Sequence, residues 1–137
     1  MNSSKERVEM GKITANGMPS EAEEQKIIFR WAEYLKGRCP ELSLLFAVPN
    51  GGTRNQIEAH NLKLQGVKSG VPDMFLPVSR GAYHGLFIEL KRKKGGVVSD
   101  AQKQWIADLE KQGYMATVAH GSEEAIKIIT NYLMAKK

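Results

Sequence analysis

The run Leu86-Phe87-Ile88-Glu89-Leu90-Lys91 constrains this chain more than any other stretch. Side chains alternate across a strand, so Glu89 and Lys91 project from one face and Leu90 from the other. Leu86, Phe87, Ile88 and Leu90 make the strand apolar on both faces, the mark of a central strand in a covered sheet. A carboxylate and an ammonium on such a strand are costly to bury without partners. Taken alone, a Glu-x-Lys triplet also describes a surface ion pair on a solvent-facing strand. Its surroundings decide its meaning.

Those surroundings alternate between helical and strand signals. Residues 1–18 lack apolar periodicity and read as a loosely attached arm; residues 19–137 form one domain. Ser20 is placed as an N-cap, with Glu23 completing a Ser-x-x-Glu capping box. Ile27, Ile28, Trp31 and Leu35 follow at helical spacing, and Gly37 and Pro40 end the helix. Leu44 to Val48 reads as a short buried strand, bounded by Pro49-Asn50-Gly51-Gly52. Arg54 to Gln65 suits a short helix, with Ile57, Leu62 and Leu64 available for packing. Met74-Phe75-Leu76 and Leu86 to Leu90 are two further strands, joined through the turn-like stretch Ser79 to Gly85. Ser99 caps a helix to about Gln112, with Trp105, Ile106 and Leu109 inward and Gly113 as its stop. Tyr114 to Ala119 is a last strand and Ser122 to about Ala135 a last helix. The predicted order is α-β-α-β-β-α-β-α, an α/β class with a short central sheet.

The length of 137 residues suits a single core. No apolar run approaches the roughly 20 residues that cross a bilayer, and the polar start has no hydrophobic stretch of signal type. A cytosolic protein without membrane contact is the simplest expectation. The lone Cys39 excludes an internal disulfide and a multi-thiolate metal site. His60, His84 and His120 are isolated and lack metal-ligand spacing. The formal net charge of +5 hints at an anionic partner such as nucleic acid. Its distribution says more. Lys91, Arg92, Lys93 and Lys94 form the densest basic run and meet Gly95-Gly96 at once, whereas Glu21, Glu23 and Glu24 cluster early.

Asp73 opens the strand before the Glu-x-Lys strand. If the two pair as a hairpin, Asp73 comes alongside Glu89. Two neighbouring carboxylates disfavour each other unless a cation lies between them. Oxygen donors of this kind suit Mg²⁺ or Mn²⁺. Phosphodiester hydrolysis uses such equipment: a divalent cation withdraws charge and lowers the pKa of bound water. Lys91 would orient the attacking water or neutralise charge in the transition state. Asp73 and Glu89 are the candidate metal ligands, with the Leu90 backbone carbonyl as a third. The plainer alternative makes Asp73 a turn residue after Pro72.

Five pieces stand in a definite order: Ser-Glu-x-x-x-Gln from Ser20 to Gln25, Pro-Asn-Gly-Gly from Pro49 to Gly52, Gly-x-Pro-Asp from Gly70 to Asp73, Glu-x-Lys from Glu89 to Lys91, and Ser-x-x-Gln from Ser99 to Gln102. Together they resemble the VRR-NUC domain, the virus-type replication and repair nuclease branch of the PD-(D/E)XK superfamily. The resemblance runs from about Pro19 to Ala119. It implies a restriction-endonuclease-like core, a short mixed central sheet flanked by helices. It also implies a Mg²⁺- or Mn²⁺-dependent endonuclease. Stand-alone copies of this size resemble those of bacteriophages and bacteria, which implies a homodimer that cuts branched DNA, four-way (Holliday) junctions included, in a bacterial or phage-infected cytoplasm. Fused eukaryotic versions act on flaps.

By the same resemblance, Glu21 matches the first-helix glutamate that reaches the metal directly or through water. As a bare residue it is also a first-turn acid favoured by the helix dipole. Glu24 competes with it, lying nearer the centre of the apolar stripe. Gln25, one turn beyond Glu21, is placed to support the site. Gln102 matches the helix glutamine that steadies Lys91 or the scissile phosphate. Asn50 and its glycines form a turn that the resemblance sets beside the site, where free amides approach a phosphate.

Arg92, Lys93 and Lys94 read as a flexible basic loop for sequence-independent phosphate contact, extended by Arg54, Lys63 and Lys68. No helix clusters Arg, Asn and Gln to read base edges, so recognition by DNA structure is expected. A flap or end-processing nuclease on the same core, or a catalytically silent nucleic-acid-binding module, are the competing readings.

Overall fold

The computed structural model describes residues 17–49 and 55–137. Asn50, Gly51, Gly52 and Arg54, and all of the proposed N-terminal arm before residue 17, lie outside the described residues. The elements are α1 (Glu21–Leu35), a 3₁₀ turn (Pro40–Leu44), β1 (Phe46–Ala47), α2 (Gln56–Leu64), β2 (Met74–Leu76), β3 (Leu86–Lys91), α3 (Asp100–Lys111), β4 (Met115–His120) and α4 (Ser122–Met134).

The four strands form one mixed sheet in the order β1-β2-β3-β4. β2 and β3 are the expected antiparallel hairpin, with Met74 opposite Ile88 and Leu76 opposite Leu86. β3 and β4 run parallel, with Leu86 opposite Met115 and Lys91 opposite His120. A parallel pair needs a crossover, and α3 supplies it. β3 is therefore paired on both edges, as its two apolar faces require.

One face of the sheet carries the core. Leu86, Ile88 and Leu90 of β3 join Met74 and Leu76 of β2, Ile28 and Ala32 of α1, and Ala125 and Ile129 of α4 in a single buried cluster. Each large aliphatic side chain here contributes roughly 1.5–3 kcal/mol by leaving water. The other face bears an aromatic group. Phe75 and Phe87 stack at 4.1 Å between ring centroids, and Tyr114 meets Phe87 edge-on at 5.4 Å.

Three local expectations need correction. The stretch Leu44 to Val48 is not a buried strand. Leu44 closes the 3₁₀ turn that Pro40 begins, and only Phe46 and Ala47 pair, at the sheet edge, where Phe46 is 49% exposed. An apolar run does not distinguish edge from centre; the number of neighbours does. Ile57 and Leu64 of α2 do not pack, being 74% and 73% exposed, and α2 buries no residue. Finally, Ser20 accepts from the Glu23 amide at 3.2 Å, but the Glu23 carboxylate pairs with Lys26 one turn on. Among the described residues no helix is long and apolar enough to cross a membrane.

Candidate active site

Hairpin register brings the two carboxylates together. Since Met74 faces Ile88, the next position outward sets Asp73 against Glu89. Asp73 Oδ2 accepts from the Leu90 amide at 2.7 Å, and the Asp73 carbonyl accepts from the Val48 amide at 2.7 Å. Asp73 is thus tied to both neighbouring strands.

Glu89 is only 1% exposed. Its Oε2 accepts from Gln102 Nε2 at 3.0 Å and lies 3.5 Å from Lys91 Nζ. Its Oε1 is buried and has no hydrogen-bond partner among the described residues. Burial, followed by the charge of Asp73, pushes the Glu89 carboxyl up to about 8, against the opposing pull of Lys91. A buried acid beside a second acid, with one oxygen unpaired, calls for positive charge close by. Lys91 supplies only part of it, from the same face as Glu89, with a side chain 9% exposed.

The donor set fits a hard divalent cation. It offers carboxylate oxygens with no thiolate or imidazole among them, and Mg²⁺ is commonly held by one or two carboxylates with waters and substrate oxygens. Among the described residues no three His, Cys, Asp or Glu side chains gather around one point. Glu21 is consequently not brought into a three-acid cluster with Asp73 and Glu89. It is exposed and lines an open hollow of about 510 Å³ with Ser20, Lys91, Arg92, Gly95 and Gly96. Within the same helix Glu24 is the buried acid, at 1% exposure. Its Oε1 accepts from Ser122 Oγ at 3.0 Å, at the start of α4. Gln25 is half-buried.

The glycine pair after the basic run is packed rather than a bare hinge. A Cβ on Gly96 would come within 2.9 Å of Lys91 Cβ, so this backbone lies against the stem of the lysine. Gly121 plays a similar part: its amide donates to the Lys91 carbonyl at 2.8 Å, and a Cβ there would meet Lys93 Cγ at 2.8 Å and Glu24 Oε2 at 2.9 Å. Lys68, Lys93 and Lys94 are exposed and Arg92 is half-buried. From sequence alone Gly95-Gly96 signals conformational freedom, and Gly121 attracts no notice. The signal that could have found their packing is position: each glycine follows closely on a strand that ends in a polar side chain, Lys91 or His120.

Two comparisons with known proteins name a single family. A model of the VRR-NUC domain matches residues 19–123. A solved structure of a VRR_NUC domain protein is 36% identical, with a TM-score of 0.75, over 86% of this chain and 91% of that one. No curated protein matches the chain. The chain belongs to the VRR-NUC family, and its domain is a nuclease domain of the PD-(D/E)XK type.

Proposed function

We propose that this protein is a Mg²⁺- or Mn²⁺-dependent endodeoxyribonuclease selective for branched DNA, four-way junctions included. The observation that carries the reading is the buried Glu89 carboxylate beside Asp73, with Oε1 unpartnered and Lys91 Nζ 3.5 Å from Oε2. Asp73 and Glu89 would hold the cation, joined by the Leu90 carbonyl. The bound cation would withdraw charge from a phosphate oxygen and make a coordinated water more acidic.

The remaining work falls to the chain's own groups. Lys91 presents a fixed ammonium to the attacking water and to charge building on the phosphate. Gln102 holds Glu89 in place. Glu21, at the rim of the hollow that Lys91 also lines, reaches the centre through water. Arg92, Lys93, Lys94 and Lys68 contact phosphates without reading bases. The substrate preference rests on the family resemblance and on the lack of a base-reading helix. A homodimer is the acting form in this reading, because a four-way junction has two-fold character and two strands to cut.

The test is a cleavage panel of four-way junction, flap, single-stranded and duplex DNA with Mg²⁺ or Mn²⁺, alongside Glu89→Ala. Metal-dependent junction cutting that Glu89→Ala abolishes is the expected result. Preferential flap cutting would move the protein to end processing. Binding without cutting, or cutting that survives Glu89→Ala, would refute the assignment.

A further inference from the structure

The first turn of α3 reaches Glu89 and lies against the segment that precedes Asp73. Ser99 is its N-cap, and the capping box is complete: the Gln102 amide N–H donates to Ser99 Oγ at 3.2 Å, and the Ser99 N–H donates to Gln102 Oε1 at 2.9 Å. A side-chain amide has one accepting end and one donating end. With the oxygen of Gln102 taken by the Ser99 N–H, its NH₂ is left to donate to Glu89 Oε2, at 3.0 Å. The flipped amide would set donor against donor at Ser99 and oxygen against carboxylate at Glu89. Two bonds that ordinarily serve helix stability here select the orientation of a group in the site.

The same helix also lies against residues 69 and 70, which lead to the second acid. An added Cβ on Gly70 would come within 2.9 Å of Ala101 Cβ, and Trp105 Nε1 donates to the Ser69 carbonyl at 3.1 Å. These contacts seat the segment that ends at Asp73. Lys91 and Gln102 together occupy Glu89 Oε2, and Oε1 stays open.

We propose that Ser99 is a positioning residue of the nuclease site: its cap sets the flip of the Gln102 amide, so that Gln102 occupies Glu89 Oε2 and Oε1 is the oxygen offered to a cation. The role assigned to the cation rests on the nuclease reading above; the orientation of Gln102 by Ser99 does not.

Ser99→Pro tests it. The Ser99 φ of −72° suits the proline ring, and the change removes both the cap N–H and the cap oxygen. Ser99→Thr keeps both. The metal-free proteins are read first, by the chemical shifts and hydrogen exchange of the Gln102 side-chain amide in a proton–nitrogen correlation spectrum. Mn²⁺ binding is then titrated, and kcat and KM are measured on a branched duplex. Ser99→Thr should match the parent throughout. Ser99→Pro should shift the Gln102 amide pair, speed its exchange, and weaken Mn²⁺ binding and kcat by about 10–100-fold, the range for groups that orient metal ligands. KM for DNA should stay within about twofold, as for a group that leaves substrate binding alone. An unmoved Gln102 amide, or unchanged Mn²⁺ affinity in Ser99→Pro, would overturn the proposal. Should the proline variant not fold, the parent decides: scalar coupling across the bond from the Ser99 N–H to the Gln102 side-chain carbonyl is expected, and its absence overturns the proposal. If the parent cuts no DNA with either metal, the nuclease reading fails, while the amide and Mn²⁺ measurements still decide the part played by Ser99.

Discussion

Toward α1 and α4, β3 presents Leu86, Ile88 and Leu90, each 1% exposed and surrounded by aliphatic side chains. Toward α3, the same six residues present Phe87, Glu89 and Lys91, two of them charged and nearly as buried. On the first face burial itself is favourable. On the second, burial of Glu89 is offset by Gln102 at 3.0 Å and Lys91 at 3.5 Å, and its Oε1 has no hydrogen-bond partner among the described residues. Stability and chemistry are thus separated by the thickness of one strand, and substitutions at adjacent residues should act on different properties.

The largest expected effect divides the two faces. Glu89→Gln should lower kcat by at least about 10²-fold, the loss typical for one charge-stabilising group in an active site, without lowering stability. Ile88→Ala, one residue away, should cost about 2–5 kcal/mol of stability while the folded fraction keeps its activity. Denaturant midpoints and single-turnover rates on both variants check this. Equal loss of stability in the two would erase the distinction between faces.

The second effect is a pH dependence confined to the α3 face. In the unfolded chain the Glu89 carboxyl ionises near 4.5, and in the folded, metal-free protein near 8. The folded state therefore keeps a proton that the unfolded state releases between these values. Stability is greatest below about 4.5 and falls as pH rises through 8. Glu89→Gln should flatten that slope, and saturating Mn²⁺ should reverse it. Parallel stability curves for parent and variant, measured by urea denaturation from about pH 5 to 9, would argue against the buried acid.

A smaller effect sits at the segment feeding Asp73. Gly70 has a φ of +87° and touches Ala101. Gly70→Ala should cost about 1–2 kcal/mol for the left-handed backbone alone, and should lower Mn²⁺ affinity because the crowding pushes this segment off α3. Calorimetric titration reads the second quantity directly. Smallest is the outer rim: Lys93→Gln with Lys94→Gln should reduce the slope of log affinity against log salt by about 0.9 for each phosphate no longer neutralised, with kcat at saturating DNA unchanged. An unaltered slope would remove these lysines from the DNA surface.

The legible parts of the molecule are those set by local pattern. The hairpin of Met74–Leu76 with Leu86–Lys91, the cap at Ser99, the stop at Gly113 and the order of elements all follow from alternation, capping residues and glycine. The Glu89–Lys91 pair is legible for the same reason, since two residues apart on a strand means one face. What escapes is whatever depends on partners distant in sequence. The run at Leu44 to Val48 carries no mark that tells an edge strand from a central one. Ile57 and Leu64 carry no mark of their exposure. Glu21 and Glu24 sit on one helix, three positions apart; the apolar stripe already favours Glu24 as the inward acid, and the fold adds the partner that sequence does not show, Ser122 of α4.

Alternation and spacing alone put an acid and an amine on one face of a two-sided apolar strand, preceded by a second acid at hairpin distance. Short-range periodicity suffices for that, because strand geometry repeats every two residues. How much of that charge is compensated depends on contacts made across the fold. The Gln102 amide, the stem of Lys91 under Gly96 and the seat of Gly70 on Ala101 arrive from other elements, and they leave one oxygen of Glu89 buried and open. Desolvation depends on the sum of all neighbours, a quantity no local stretch of sequence contains.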